Sequence, residues 1–157
     1  MDKPTIYLET SFISYLVARP SRDIIVAAHQ QLTFDWWSNQ RHHYDLFISQ
    51  VVFDEARAGD AQEAAKRLAA VEGLPLLELT EEGIRLAEKL IQLHAVPKKA
   101  AQDALHIAIA CVNGMDYLLT WNCKHIANAR MRSKIDEICR GMGYGPPIIC
   151  TPEELED

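Results

Sequence analysis

The stretch AQDALHIAIACVNGMDYLLTWN, residues 101 to 122, limits the possible folds of this chain more than any other. From about Lys99 to Val112 the pattern predicts a helix with apolar residues on nearly every side. A surface helix carries one apolar stripe, whereas a helix apolar all round has to be buried. Asn113-Gly114 interrupts it, and Asp116 to Thr120 follows as a short β-prone run. A buried helix that leads straight into a strand suits a sheet covered by helices. Asp103, in the first helical turn, and Asn122, just past the strand, can then meet at one edge of that sheet.

The rest of the chain alternates in the same way. Thr5 to Leu8 reads as the first strand, ended by Glu9-Thr10-Ser11, with Thr10 or Ser11 capping a short helix to about Ala18. Asp23 to Asn39 reads as a helix with Ile24, Ala27, Ala28, Gln31, Leu32, Asp35 and Trp36 along one face. Asp45 to Ser49 is the second strand, and Ser49 caps a short helix that holds Glu55. Asp60 and Glu63 resemble a capping box, opening a helix with Ala61, Ala64, Ala65, Leu68 and Ala69 as its stripe. Leu74 to Leu79 is the third strand. Thr80 caps the next helix, where Ile84, Ala87, Leu90, Ile91 and His94 share a face. Asn122 is read as the cap of a helix that turns Ala127, Met131, Ile135 and Ile138 inward, and Pro147 to Cys150 as the last strand. The expectation is an α/β chain forming a single domain over residues 1–157, with three Rossmann-like layers and a mostly parallel central sheet of about five strands.

Composition narrows the function classes. The net charge of −6 argues against indiscriminate binding to nucleic acid. It is unevenly spread: Lys98, Lys99, Lys124, Arg130, Arg132 and Lys134 cluster in one segment, while Glu153, Glu154, Glu156 and Asp157 crowd the end. No apolar run reaches the roughly 20 residues of a membrane span. The first ten residues lack the basic flank and apolar core of a signal peptide, which points to the cytoplasm. Cys111, Cys123, Cys139 and Cys150 form no CxxC pair and read as buried free thiols.

In parallel sheets, ligands bind beyond the carboxyl ends of the strands. Glu9 and Asn122 sit at such ends, and Glu55 and Asp103 lie on helices able to lean over the same rim. Three converging carboxylates repel one another unless a cation lies between them. Hard oxygen ligands select Mg2+ or Mn2+, whose natural reaction is attack of water on a phosphodiester. The residues by themselves leave a second reading open: Asp103 favoured by the helix dipole, Glu55 exposed, Asn122 a cap.

Four segments carry a family resemblance: IYLETSFISYL, ISQVVFDEARAG, QDALHIAIA and DYLLTWNCKHIAN. In order and spacing they resemble the PIN-domain nucleases, in particular the VapC-type toxins of bacterial and archaeal toxin–antitoxin pairs, over nearly the whole chain. The resemblance implies a PIN-like fold and a magnesium- or manganese-dependent endoribonuclease that leaves a 5′-phosphate and a 3′-hydroxyl. It implies Glu9, Glu55 and Asp103 as metal-binding carboxylates and Asn122 as a fourth catalytic position. Thr10 or Ser11 would lend a hydroxyl near the metal water or phosphate. Thr120 would line the site, and Lys124, with His125, would touch RNA. Two positions depart from the family pattern: Glu9 stands where Asp is usual, and Asn122 where an acid is frequent.

The alternative comes from another class: a catalytically weak or silent PIN-like module that binds an antitoxin or RNA. The tandem Trp36-Trp37 argues for a protein contact, one ring facing a homodimer or antitoxin interface. His106 is read as structural, bonded to Asp103 or supporting the rim, and Trp121 as filling the core edge.

Overall fold

The computed structural model describes residues 2–156; Met1 and Asp157, the last carboxylate of the acidic terminal run, lie outside the described residues. The strands β1 (Thr5–Leu8), β2 (Asp45–Ser49), β3 (Leu76–Leu77), β4 (Tyr117–Leu119) and β5 (Ile148–Cys150) form one sheet. Its order is β3-β2-β1-β4-β5 and every neighbouring pair is parallel. The chain winds from β1 outward through β2 to β3, then crosses back to β4 and β5. The direction of winding therefore reverses between β1 and β4, the switch point beyond whose strand ends ligands bind in such sheets. Ile6 pairs with Leu46 on one side and Tyr117 on the other, so β1 is central. Ile6, Tyr7 and Leu8 are fully buried, as a strand covered on both faces requires.

The helices are α1 (Thr10–Val17), α2 (Ile24–Asn39), α3 (Gln50–Ala56), α4 (Ala61–Val71), α5 (Glu81–Gln92), α6 (Ala101–Val112) and α7 (Ala129–Gly141). In α6, seven residues are buried, Ala104 and His106 through Cys111, which matches its apolar composition. Ser49, Asp60 and Thr80 cap α3, α4 and α5 through their side chains, as the sequence predicts.

Several details differ from the sequence reading. On α2 the inward face is Val26, His29, Thr33 and Trp36, while Ile24 is 85% and Ile25 68% exposed. Trp36 and Trp37 do not diverge: both rings meet Phe12, and Arg41 lies 3.8 Å over Trp37. The tandem pair therefore gives no evidence of an interface. On α4, only Ala64 of the alanine stripe is buried, and β3 shrinks to two residues at the sheet edge. His94 is exposed and takes a positive φ of 61° after α5, a turn position and not a core edge. Cys123 is an exposed thiol. Trp121 is buried at the core edge as expected: its Nε1 donates to Thr33 Oγ1, and His29 stacks on it at 4.1 Å.

Candidate active site

Beyond the carboxyl ends of β1 and β4 the structure gathers a buried polar group. The Glu9 backbone N–H donates to the Leu119 carbonyl, which ties the two strand ends together. Glu9, and not Thr10 or Ser11, is the N-cap of α1. Its longer side chain folds back over the helix start. Oε2 accepts from the Ser11 backbone N–H at 3.0 Å, and Oε1 accepts from the hydroxyls of Ser11 and Thr120. These three donors offset the cost of holding a 5%-exposed carboxylate away from water. The Ser11 hydroxyl in turn accepts from Trp121 N, and the Thr120 hydroxyl from Asn122 N. Every proton of the two hydroxyls is therefore already committed to Glu9.

Glu55 arrives from α3. Its Oε1 accepts from the Thr10 hydroxyl and from His106 Nε2 at 2.7 Å. Burial would raise this carboxyl, but the hydrogen bond and charge of His106 together with Thr10 hold it below its ordinary value. The nearest ligand atoms of Glu9, Glu55 and His106 all lie within 4.8 Å of one another. His106 is fully buried and bonds Glu55; its predicted bond to Asp103 is not formed. Burial alone would lower the imidazole value, yet Glu55, with the charges of Glu9 and Asp103, raises it.

Asp103 stands beside this trio, outside its 4.8 Å grouping. Burial raises its carboxyl, the Asn122 side-chain hydrogen bond opposes that rise, and the charge of Glu9 adds to it. Asn122 does not open α7, whose cap is Asn128. It closes the turn after β4, with Oδ1 accepting from His125 N. Its amide nitrogen is then the end that serves Asp103. Lys124 is exposed in that same turn. The two nearby acids set aside from the sequence are indeed elsewhere: Asp54 pairs with Arg57 and Gln50, and Asp116 accepts from Thr5 at the opposite end of the strands.

This donor set fits a hard divalent cation. No lysine or arginine pairs with Glu9, Glu55 or Asp103 among the described residues. Glu55 Oε2 has no protein hydrogen bond among them either, so it is free to face an ion. His106 compensates Glu55 only in part, so the clustered carboxylates remain costly, and a bound ion removes that cost. The closeness of His106 to Glu55 and Glu9 had no clear signal in the sequence. Its three-residue spacing pointed toward Asp103, while the contact it makes depends on where α3 lands.

The family model for the PIN domain matches residues 6–125. No curated protein matches the sequence. Among solved structures, the chain is similar to VapBC2 from Rickettsia felis bound to a DNA fragment from their promoter, with 14% identity, a TM-score of 0.59, and coverage of 94% of this chain and 98% of that one. It is also similar to VapBC-5, a member of the VapBC family of toxin-antitoxin systems from Mycobacterium tuberculosis, with 16% identity, a TM-score of 0.46, and coverage of 75% and 85%. At 14% identity the first likeness is one of fold.

Proposed function

This chain belongs to the PIN-domain family, and from that premise we propose that it is a metal-dependent endoribonuclease, the toxin of a toxin–antitoxin pair. PIN domains are typically metal-dependent nucleases, and a nuclease site needs uncompensated carboxylates at a crevice. One observation carries the reading: Glu9 and Glu55 converge at the β1/β4 switch point with no lysine or arginine beside them. We take residues 1–157 as one PIN domain, because β5, beyond the matched segment, pairs with β4.

In this reading Glu9, Glu55 and Asp103 hold Mg2+ or Mn2+. The ion, when bound, supplies positive charge to the phosphate and acidifies a water. The chain's own residues set the geometry. Ser11 and Thr120 fix Glu9, Thr10 and His106 fix Glu55, and the Asn122 amide steadies Asp103. Water adds to phosphorus and the bond to the 3′-oxygen breaks, which leaves a 5′-phosphate and a 3′-hydroxyl. Lys124, exposed beside Asn122, meets the RNA backbone.

The partner is a cognate antitoxin, by analogy with the VapBC2 pair, and a homodimer is part of the same proposal. Ile24 and Ile25, largely exposed on α2, supply apolar surface for a protein contact. A silent binding module is the second reading, favoured by the way Glu9 spends its carboxylate on its own helix. Cleavage of single-stranded and structured RNA with manganese, beside Asp103→Asn, separates the two. Loss of a metal carboxylate should reduce the rate by more than about 100-fold, the upper end for loss of an outer-shell partner. Equal cutting by both proteins would place the chemistry elsewhere. No cutting by either would favour the silent module.

A further inference from the structure

His106 has the spacing of a metal ligand, yet its hydrogen bonds assign it another task. Its Nδ1 lies 2.7 Å from the Tyr7 hydroxyl, which lies 2.7 Å from the Ser49 hydroxyl. Ser49 Oγ accepts from Val52 N and so caps α3, the helix that carries Glu55. Glu55 returns to His106 Nε2 at 2.7 Å. The contacts therefore close a ring through β1, β2, α3 and α6. A seven-residue helix has little stability of its own. This ring ties α3 down at its N-cap, Ser49, and again near its end, at Glu55.

The protons available along this ring set the role of the imidazole. Each hydroxyl has one proton to give, and burial holds the Tyr7 phenol well above its ordinary value, so it keeps its own. In one arrangement Ser49 donates to Tyr7, Tyr7 donates to Nδ1, and Nε2–H donates to Glu55. In the other, Nδ1–H donates to Tyr7, Tyr7 donates to Ser49, and the imidazole is a cation. A bare Nε2 fits neither, because its lone pair would face an ionised carboxylate at 2.7 Å. Nε2 therefore carries a proton in both arrangements and is spent on Glu55.

We propose that His106 is a positioning residue that aims Glu55 through Nε2–H, with Tyr7 and Ser49 holding the imidazole. The proposal rests on the nuclease reading above. Its consequence is a site for hard cations in which the nearby nitrogen supports a carboxylate ligand.

The test compares wild type with His106→Leu, His106→Gln and Tyr7→Phe, reading Mn2+ and Zn2+ affinity and the metal-free melting temperature. Gln keeps an N–H donor near the Nε2 position, and Leu keeps only bulk. The expected result is a loss of Mn2+ affinity of about 10–100-fold in His106→Leu, as for other outer-shell partners, most of it recovered in His106→Gln. Mn2+ binding by a folded His106→Leu as tight as wild type would overturn the proposal. So would a His106→Gln variant as weak as Leu with Zn2+ affinity falling further than Mn2+, which is the mark of a lost ligand. Should His106→Leu fail to fold, nitrogen-15 spectra of the wild-type imidazole decide, together with Mn2+ affinity in Tyr7→Phe. A protonated Nε2 and weakened binding support the proposal, whereas an unprotonated Nε2 or unchanged binding overturns it. Wild type that binds no Mn2+ at all would instead bring down the nuclease reading, and this proposal with it.

Discussion

Glu55 and His106 hold each other in opposite senses, and that gives a pH signature. The ordinary value of 6.5 for His106 is raised in the fold, so its contribution to stability is full below pH 6.5 and is lost as pH climbs through the raised value. The ordinary 4.5 of Glu55 is lowered, so its contribution is present above pH 4.5 and lost as pH falls through the folded value. Both are present together between about pH 4.5 and 6.5. Urea denaturation of the metal-free protein should show stability declining above pH 6.5. In Glu55→Gln, burial still lowers the imidazole value while the hydrogen bond and charge of Glu55 no longer raise it, so the decline through the same range should shrink. Matching declines in both proteins would mean that His106 does not sense Glu55. Local pattern placed Glu9 and Asn122 beyond strand ends and Asp103 in the first turn of α6, while the family resemblance singled out Glu55, near the end of α3, and implied the set. The sequence did not reveal that Glu9 caps its own helix or that His106 reaches Glu55. Those contacts depend on one methylene at position 9 and on the docking of α3, neither of which local pattern encodes.

Among the elements, α6 and α4 show where pattern reading works and where it fails. A helix apolar on all sides has one possible environment, so burial of α6 was legible from its composition. A helix of alanines and charges has several, and α4 turns Ala61, Ala65 and Ala69 outward because alanine is too small to demand burial. The same weakness misassigned α2, whose apolar residues lie on both faces, leaving the side chosen by Phe12 and Thr33 contacts to decide. The two helices should respond differently to truncation and enlargement. Ile107→Ala, at a fully buried position of α6, should cost about 2–5 kcal/mol, the scale of large-to-small core changes. Ala65→Gln on exposed α4 should stay within about 0.5 kcal/mol. Chemical denaturation of both variants checks the contrast, and equal costs would mean that α4 packs against something in solution.

For the molecule as a whole, the proposed function requires charge placement to reconcile an acidic protein with a polyanionic substrate. At −6 the chain repels nucleic acid at a distance, so attraction must be local to the crevice. Not every basic residue in the rich segment is free to provide it. Arg132 is engaged with Glu154 at 3.7 Å and with the Ala127 carbonyl. Lys124 forms no ion pair among the described residues, is exposed, and lies two residues past Asn122. Lys3, by contrast, precedes β1 at the amino end of the strands, on the far side of the sheet from the carboxyl-end crevice. On an Asp103→Asn background, chosen to suppress the proposed cutting, Lys124→Ala should weaken single-stranded RNA binding. It should also flatten the slope of log affinity against log salt by about 0.7, the share of one phosphate contact on a single strand. Lys3→Ala should leave the slope unchanged, because a repulsive molecule gains specific contacts only where RNA is seated. If both variants shifted the slope equally, RNA would be sampling the whole surface. If neither did, the phosphate contacts would have to come from Lys98 and Lys99, which precede α6 at the end that carries Asp103.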